Sequence, residues 1–295
     1  MSGGRRTVVP IGIFDGVHRG HQLVLTRAHE AARAADADVA VVTFDPHPVA
    51  ILRPELMPMM LTTTARRVAL LERYGADRVL VLEFSHEMSL QSPEDFIETT
   101  LVGQLGAVRV VVGENFRFGH GAKGDVDLLR RSGLEVDALP LVSEGEPISS
   151  TRIRAQVAAG DVVGAAGLLG RAHLVEGPVI RGDARGRALG FPTANVDVAE
   201  GIAIPADGVY AGHLTGLSGD RMPAAISVGT NPTFDGQNRR VEAYAIDVGH
   251  DLDLYGRHVT VEFTARLRGM ERFESVESLV SQMAADVDTA RSRLH

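Results

Sequence analysis

The chain has 295 residues, 44% of them hydrophobic, a net charge of −8 and no cysteine. Those numbers exclude disulfides, thiolate metal sites and a cysteine nucleophile, and they argue against a general binder of nucleic-acid backbones. No apolar run approaches the ~18 residues of a membrane span, and "MSGGRRTVV" lacks the apolar core of a secretory leader, so a cytoplasmic protein with no membrane partner is expected.

The first part of the chain alternates. "TVVPIGIF" reads as a strand ending near Phe14, followed by a tight loop from Gly16 to Gly20 and a helix from about His21 to Ala35. "DVAVVTF" and "RVLVLEF" are strands flanking the helix "TTARRVALLERYG". The helix "SPEDFIETTLVGQLG", strand "VRVVVG", a short helix near Val126–Arg131 and strand "EVDALPLV" complete the series. Short, nearly continuous apolar strands separated by helices predict a doubly wound parallel sheet covered on both faces. "SSTRIRAQVAAG" and "DVVGAAGLLG" then read as two closing helices, with Ser149 or Ser150 as N-cap.

After about Arg171 the pattern changes. "LVEGPVIRG", "GVYAGHLTGL", "MPAAISVG", "RVEAYAIDV" and "HVTVEFTARL" are strand-like segments joined by Gly, Pro, Asn and Asp turns, which predicts a small antiparallel barrel. Val276, Leu279, Val280, Met283, Val287 and Ala290 share one face of a final amphipathic helix. Two domains are therefore expected, 1–171 and 172–295, and the boundary rests on the pattern because both halves are net acidic.

The candidate chemistry begins at "GIFDGVHRGH". In an open parallel sheet, ligands sit beyond the C-terminal strand ends, where helix N-termini attract anions. His18 and His21 occupy that position and can donate to phosphoryl oxygens, with Gly20 permitting close backbone approach. The spacing alone also fits two loop histidines of no consequence. A metal site fits less well, since neither a third histidine nor HExxH stands at a usual spacing. No Walker A loop occurs; "GHGAKG" at Gly119–Gly124 matches GxGxxG but follows "ENFRF", and it reads as a mobile glycine loop. Lys123 is the sole lysine, so phosphate grips must come from arginines, helix ends and backbone amides.

"GIFDGVHRGH" with "ISSTRIR" resembles the HxGH nucleotidyltransferases. Adding "TFDPHP", "VVGENFRFGHGAKGD" and "LLGR", then "GRALGFPTANV", "DGVYAG", "ISVGTNPTF", "VEAYAID" and "DLYGRHVTVEF", the whole chain resembles the bacterial bifunctional riboflavin kinase/FMN adenylyltransferases, also called FAD synthetases. HxGH is shared with other adenylyl- and cytidylyltransferases, whereas PTAN in an all-β second domain is far more specific.

The resemblance implies that riboflavin is phosphorylated to FMN in the barrel and FMN adenylylated to FAD in the sheet domain, with ATP as co-substrate, Mg²⁺ as cofactor and pyrophosphate released. It places His18 and His21 on the ATP phosphates, with Ser150, Thr151 and Arg154 at the start of a late helix. Gly12, Phe14, Asp15 and Gly20 fall on the binding side of the first loop, and Phe44, Asp45 and His47 in the flavin or phosphate pocket. Asn115 stands where many relatives carry Asp, and its role is open. In the barrel, Thr193 and Asn195 become ligands of Mg²⁺ and phosphate, Glu242 the base for the riboflavin 5′-hydroxyl, and Arg187 a phosphate contact from a glycine-rich loop over the nucleotide. Val241 and Ala243 alternate with Glu242, which places it on the opposite strand face.

Each motif also has a plain reading: a capped helix for "SSTRIR", a strand stopped by prolines for "TFDPHP", a solvated Arg187, a solvent-facing Glu242. Two departures stand out. Tyr244 replaces a frequent histidine, and relatives have a longer lead-in than the seven residues before Val8. Two alternatives are weighed. An HxGH enzyme for another acceptor, such as nicotinate mononucleotide or phosphopantetheine, would have no use for the barrel. A non-catalytic flavin or ATP sensor would retain the folds without turnover. Partners are small molecules rather than nucleic acid, and a homo-oligomer is compatible with everything above.

Overall fold

The computed structural model describes residues 6–140, 143–144, 146–182, 186, 189–216, 219–230, 239–248 and 254–294. The chain forms two compact units, Met1–Pro58 with Thr62–Ser150, and Met59–Leu61 with Thr151–His295.

The first unit is a parallel sheet of β1 (Thr7–Pro10), β2 (Asp38–Asp45), β3 (Arg78–Glu83), β4 (Ala107–Gly113) and β5 (Glu135–Leu139), in the order β3-β2-β1-β4-β5. A two-residue hairpin, β6 (Ser143–Glu144) and β7 (Glu146–Pro147), follows. Alternation explains the continuous apolar runs. Val8, Val39 and Val41 pack with Leu25, Ala28 and Ala32 of α1 (Arg19–Ala35), and Val9, Ala40 and Val42 pack with residues on the opposite face. Order reverses between β1 and β4, so the loop after β1 emerges where such sheets form a ligand crevice.

Between β2 and β3 lie α2 (Pro48–Leu52) and α3 (Thr64–Arg73); after β3 come α4 (His86–Ser89) and α5 (Pro93–Asp95). The helix expected over "SPEDFIETTLVGQLG" starts as α but runs as a π-helix over Phe96–Gln104, burying Phe96, Ile97, Thr100 and Leu101. These four, at i, i+1, i+4 and i+5, share one face in an α- or a π-helix alike, so the sequence pattern gives the helix but not its wider register.

Other boundaries also differ from expectation. β1 ends at Pro10 rather than near Phe14; beyond it Ile11 still bridges Val42, and Phe14 turns into the left-handed region at φ 55°. Gly20 lies inside the first turn of α1, not in a loop before it. "GHGAKG" is a packed turn instead of a mobile loop: Phe118 and Gly124 exchange backbone hydrogen bonds, and Gly119 lies directly against Pro93. α6 (Val126–Arg131) stands where expected, with Asp125 as N-cap.

In the second unit, α7 (Ser150–Ala159, from Thr151 onward) and α8 (Val162–Leu169) precede a closed antiparallel barrel. Its strands are β8 (His173–Ile180), β9 (Ala194–Val196), β10 (Gly208–Thr215), β11 (Arg221–Thr230), β12 (Arg239–Ala245) and β13 (His258–Arg268), in the order β10-β11-β12-β9-β8-β13. The five expected strands are present, and the PTAN segment supplies the sixth. Tyr210, Ile226, Val241, Ala243, Val261 and Phe263 fill the interior, joined by Val162 of α8.

The final helix, α9 (Val276–Leu294), covers part of the barrel's outside, where Val287 and Ala290 pack with Phe191, Tyr244 and Leu267. Its expected stripe is only partly used, since Val276 is exposed. A charged pair anchors it instead. Arg268 grips Asp286 through Nη2 at 2.7 Å and Nε at 2.9 Å, with side chains 18% and 10% exposed, and Gln282 donates to the same carboxylate. Breaking so sheltered a pair strands one charge. Asp286→Ala is expected to cost the barrel unit about 3 kcal/mol, while Arg268→Met with Asp286→Leu recovers most of it. Urea unfolding monitored on the barrel unit checks both.

Candidate functional site

The first site is built on a strained turn. Phe14 and Val17 both hold positive φ, 55° and 41°, which is costly for an aromatic and a β-branched residue. The surroundings hold them there. Asp15, 1% exposed, accepts from the Thr62 backbone N–H at 3.2 Å and its hydroxyl at 3.4 Å, while the Gly16 N–H donates to Thr62 Oγ1. Ser150 Oγ donates to the Asp15 carbonyl at 2.9 Å, and Gln22 Nε2 donates to the Val17 carbonyl at 2.8 Å.

This turn delivers His18 as the N-cap of α1. Its Nδ1 accepts the His21 backbone N–H, and its ring, 5% exposed, stacks on the His21 ring at 3.6 Å. While that bond stands, Nδ1 keeps its lone pair and the ring proton sits on Nε2, a donor. A Cβ at Gly20 would lie 3.1–3.2 Å from the His18 ring, so glycine here makes room for the histidine. His21 also meets the Phe14 edge at 5.1 Å, and its Nδ1 is shut from solvent with no hydrogen-bond partner among the described residues. Burial first, and His18 second, push the His21 imidazole well below its ordinary pKa. Two stacked imidazoles at the positive end of a seventeen-residue helix form an anion-facing corner.

Phe14, Asp15, His18, Gly20, His21 and Ser150 thus converge. Gly12 supports the loop, its N–H donating to the Val42 carbonyl at 3.1 Å. Phe44 and Asp45 end β2; Phe44 packs on Phe84, Asp45 is exposed, and His47 caps α2 by accepting from the Val49 N–H. Asn115 is exposed after β4, its Oδ1 near Gly113. Thr151 is exposed and Arg154 half-buried, both in the second unit.

Sequence reasoning missed Thr62 and Arg67. Arg67 of α3 is 1% exposed and donates through Nη2 to the Phe44 carbonyl at 2.8 Å and to Thr64 Oγ1 at 3.2 Å. Burial pulls its guanidinium below the usual range, while the Asp15 and Asp45 carboxylates act in the opposite sense. Only the burial of a charged helix residue marks it, and "ARRV" shows no such signal.

The second site lies outside the barrel wall. Register pairs Asn195 of β9 with Glu242 of β12, and Glu242 with Ser227 of β11. Val241 and Ala243 point into the core, so Glu242 points out, where Thr193 Oγ1 donates to its Oε2 at 3.3 Å. Ser227 is a further residue that sequence reasoning missed, since "ISVG" reads as plain strand. Two glycines of the glycine-rich segment lie near PTAN: a Cβ at Gly182 would lie within 2.6 Å of the Asn195 amide, and Gly186 accepts backbone hydrogen bonds from Leu189 and Phe191. Tyr244, two residues past Glu242, packs edge-on against Phe191 at 5.4 Å. Arg187 lies outside the described residues.

Among the described residues, no three His, Cys, Asp or Glu groups gather as a metal cluster. A hydroxyl, an amide carbonyl and one carboxylate nevertheless fit a hard divalent cation whose remaining ligands are phosphate oxygens and water.

The FAD synthetase family matches residues 2–152 and the riboflavin kinase family residues 169–294. The bifunctional riboflavin kinase/FMN adenylyltransferase of Escherichia coli strain K12 is 36% identical over 289 residues, spanning 96% of this chain and 91% of that one. The protein of the same description from Pseudomonas fluorescens is 37% identical, spanning 98% and 93%. A crystal structure described as a macrolide-efflux protein from Streptococcus pneumoniae superposes with a TM-score of 0.89 at 35% identity, covering 97% of this chain and 94% of that chain. Among the described residues, no helix is long and apolar enough to cross a membrane.

The His21 environment makes a pH prediction. Above about 6.5 the ring is neutral whether the chain is folded or not; as pH falls below that, the unfolded chain takes up the proton first. Stability of the sheet unit is therefore expected to fall with pH from about 6.5 toward the depressed folded value. In NMR the His21 ring should not titrate between pH 8 and 6, and His21→Asn should remove part of the acid slope in urea midpoints.

Proposed function

Because this chain belongs to the bifunctional riboflavin kinase/FMN adenylyltransferase family, we propose that its two domains divide the route from riboflavin to FAD between them. It is a transferase with two activities: ATP-dependent phosphorylation of riboflavin to FMN, and adenylylation of FMN to FAD with release of pyrophosphate. The first 171 residues carry adenylyl transfer and 172–295 carry the kinase. Both reactions consume ATP, which supports a cytoplasmic location.

In adenylyl transfer, an FMN phosphate oxygen attacks the α-phosphorus of ATP, and the bond to the α–β bridging oxygen breaks. The nucleophile is already anionic, so the protein's task is alignment and stabilisation of charge on the leaving pyrophosphate. His18 donates through Nε2–H, and His21 beside it supplies a second ring at the helix terminus. Ser150 fixes the turn that carries them. The family resemblance assigns Arg154 and Thr151 to the β and γ phosphates. Phe44, Asp45 and His47 line the flavin side, and Asn115 provides a neutral polar contact. The single observation that carries this reading is the stacked His18–His21 pair capping α1.

In phosphorylation, the riboflavin 5′-hydroxyl attacks the γ-phosphorus, the β–γ bridge breaks, and the hydroxyl proton passes to Glu242. Thr193 and Asn195 would hold Mg²⁺ together with phosphate oxygens. Bound there, the cation neutralises charge on the transferring phosphoryl group. Thr193 also orients the Glu242 carboxylate through its hydroxyl, and Arg187 would meet phosphate from the glycine-rich loop.

Purified protein with riboflavin, ATP and Mg²⁺ should show FMN rising and then yielding to FAD by chromatography. His21→Ala should lower FAD formation by about 10²–10³ while FMN accumulates. Glu242→Gln should lower FMN formation by about 10²–10⁴ while supplied FMN still becomes FAD. Flavin binding without ATP turnover in the unmodified chain would return the sensor reading.

A further inference from the structure

Arg67 is charged, deeply buried and used by none of the steps above. Full burial of an arginine is rare without a purpose for its charge. Its Nη2 donates both to the Phe44 carbonyl, at the end of β2, and to Thr64 Oγ1 on its own helix. The carboxylates of Asp15, in the histidine turn, and Asp45, at the β2 rim, lie within electrostatic reach. Its Nε–H has no hydrogen-bond partner among the described residues, so the guanidinium is not a saturated structural knot.

The start of α3 joins the two segments that the adenylyl-transfer reading assigns to different reactants: Thr62 bonds the Asp15 carboxylate and Arg67 bonds the Phe44 carbonyl. The Asp15 turn carries the histidines that face ATP, and the Phe44–His47 turn faces the flavin. Both approaching groups are anionic, and each assigned segment carries a carboxylate, Asp15 on one and Asp45 on the other. The Arg67 cation, within electrostatic reach of both, offsets that field, and its Nη2 holds the end of β2 to α3. We infer that Arg67 is a positioning residue for FMN adenylylation, setting the spacing between the Asp15 turn and the Phe44–His47 turn so that FMN phosphate is presented to the α-phosphorus. The inference rests on the adenylyl-transfer reading of the sheet unit.

The test uses the full chain, because riboflavin phosphorylation in the barrel reports folding independently. Arg67→Met should raise the KM for FMN about tenfold and lower kcat about tenfold, for a loss of about 100-fold in kcat/KM. Arg67→Lys keeps the charge and loses the planar fork, and should fall between, with KM for FMN raised about threefold. Riboflavin phosphorylation should match wild type in both. A merely structural role would reduce the fraction of active molecules, lowering kcat while leaving the KM for FMN unchanged, and that result overturns the inference. So does a variant with wild-type kcat and KM for FMN. If Arg67→Met also loses riboflavin phosphorylation, the same comparison of kcat and KM is made on Arg67→Lys, and an unchanged KM for FMN there overturns the inference. Absence of FAD from wild type supplied with FMN would remove the adenylyl-transfer reading itself, and the inference with it.

Discussion

The sheet domain depends on holding four residues, Phe14 to Val17, in a turn that two of them resist. A left-handed β-branched residue and a left-handed aromatic each cost on the order of 1–3 kcal/mol, and neither relaxes because the turn is tied from several directions. The buried Asp15 carboxylate receives two bonds from Thr62, its carbonyl receives the Ser150 hydroxyl, and Gln22 closes the Val17 carbonyl. If the turn relaxed, His18 would no longer cap α1, and the ring stacked on it would lose its orientation. The strain is local, the restraints are distant in sequence, and the product is a pair of imidazoles whose direction is fixed before any substrate arrives.

The barrel reaches the same end by register. Thr193, Asn195 and Glu242 come from segments separated by about fifty residues, yet pairing of β9 with β12 leaves no freedom in how they meet. A slip of one residue would turn Glu242 into the core and bring Val241 outside. The closed sheet resists such a slip from both sides, since β12 is also paired with β11 along its whole length. The helix α9 adds support behind Phe191 and Tyr244, beside the PTAN strand.

What was legible in the sequence follows from how local each signal is. Strand periodicity, turn residues and the change of pattern after Arg171 are short-range, and they suffice for the parallel sheet, the barrel and the final helix. HxGH and PTAN are contiguous, so each stands out in the sequence as a group. Their geometry was not legible. Nothing in "GIFDGVHRGH" shows that the strand stops at Pro10, or that Gly20 is needed for the His18 ring rather than for a ligand. Thr62, Arg67 and Ser227 were invisible because their importance comes from partners 23 to 47 residues away or across a strand pair. The π-helical turn over Phe96–Gln104 escaped for another reason: Phe96, Ile97, Thr100 and Leu101, at i, i+1, i+4 and i+5, share a face of an α-helix as well as of a π-helix, so the spacing gives a helix without its hydrogen-bond register.

An acidic chain that must bind ATP and FMN faces a choice of how to meet phosphate. Fixed cations near the reacting phosphorus would attract both substrates strongly, but would favour bound reactants as much as the transition state. At the histidine turn the protein takes the other course. Burial and its neighbour push the His21 imidazole below its ordinary pKa, and His18 Nδ1 is held by the His21 backbone N–H. Neutral donors at a helix terminus gain most when charge accumulates on the leaving oxygen, and cost little reorganisation because the turn already holds them. Arg67, a deeply buried cation near the turn, stands behind the site among carboxylates, where it shapes the field without offering itself to phosphate. On the proposed adenylyl-transfer reading, preorganised weak donors demand rigid placement, and the strained turn supplies it.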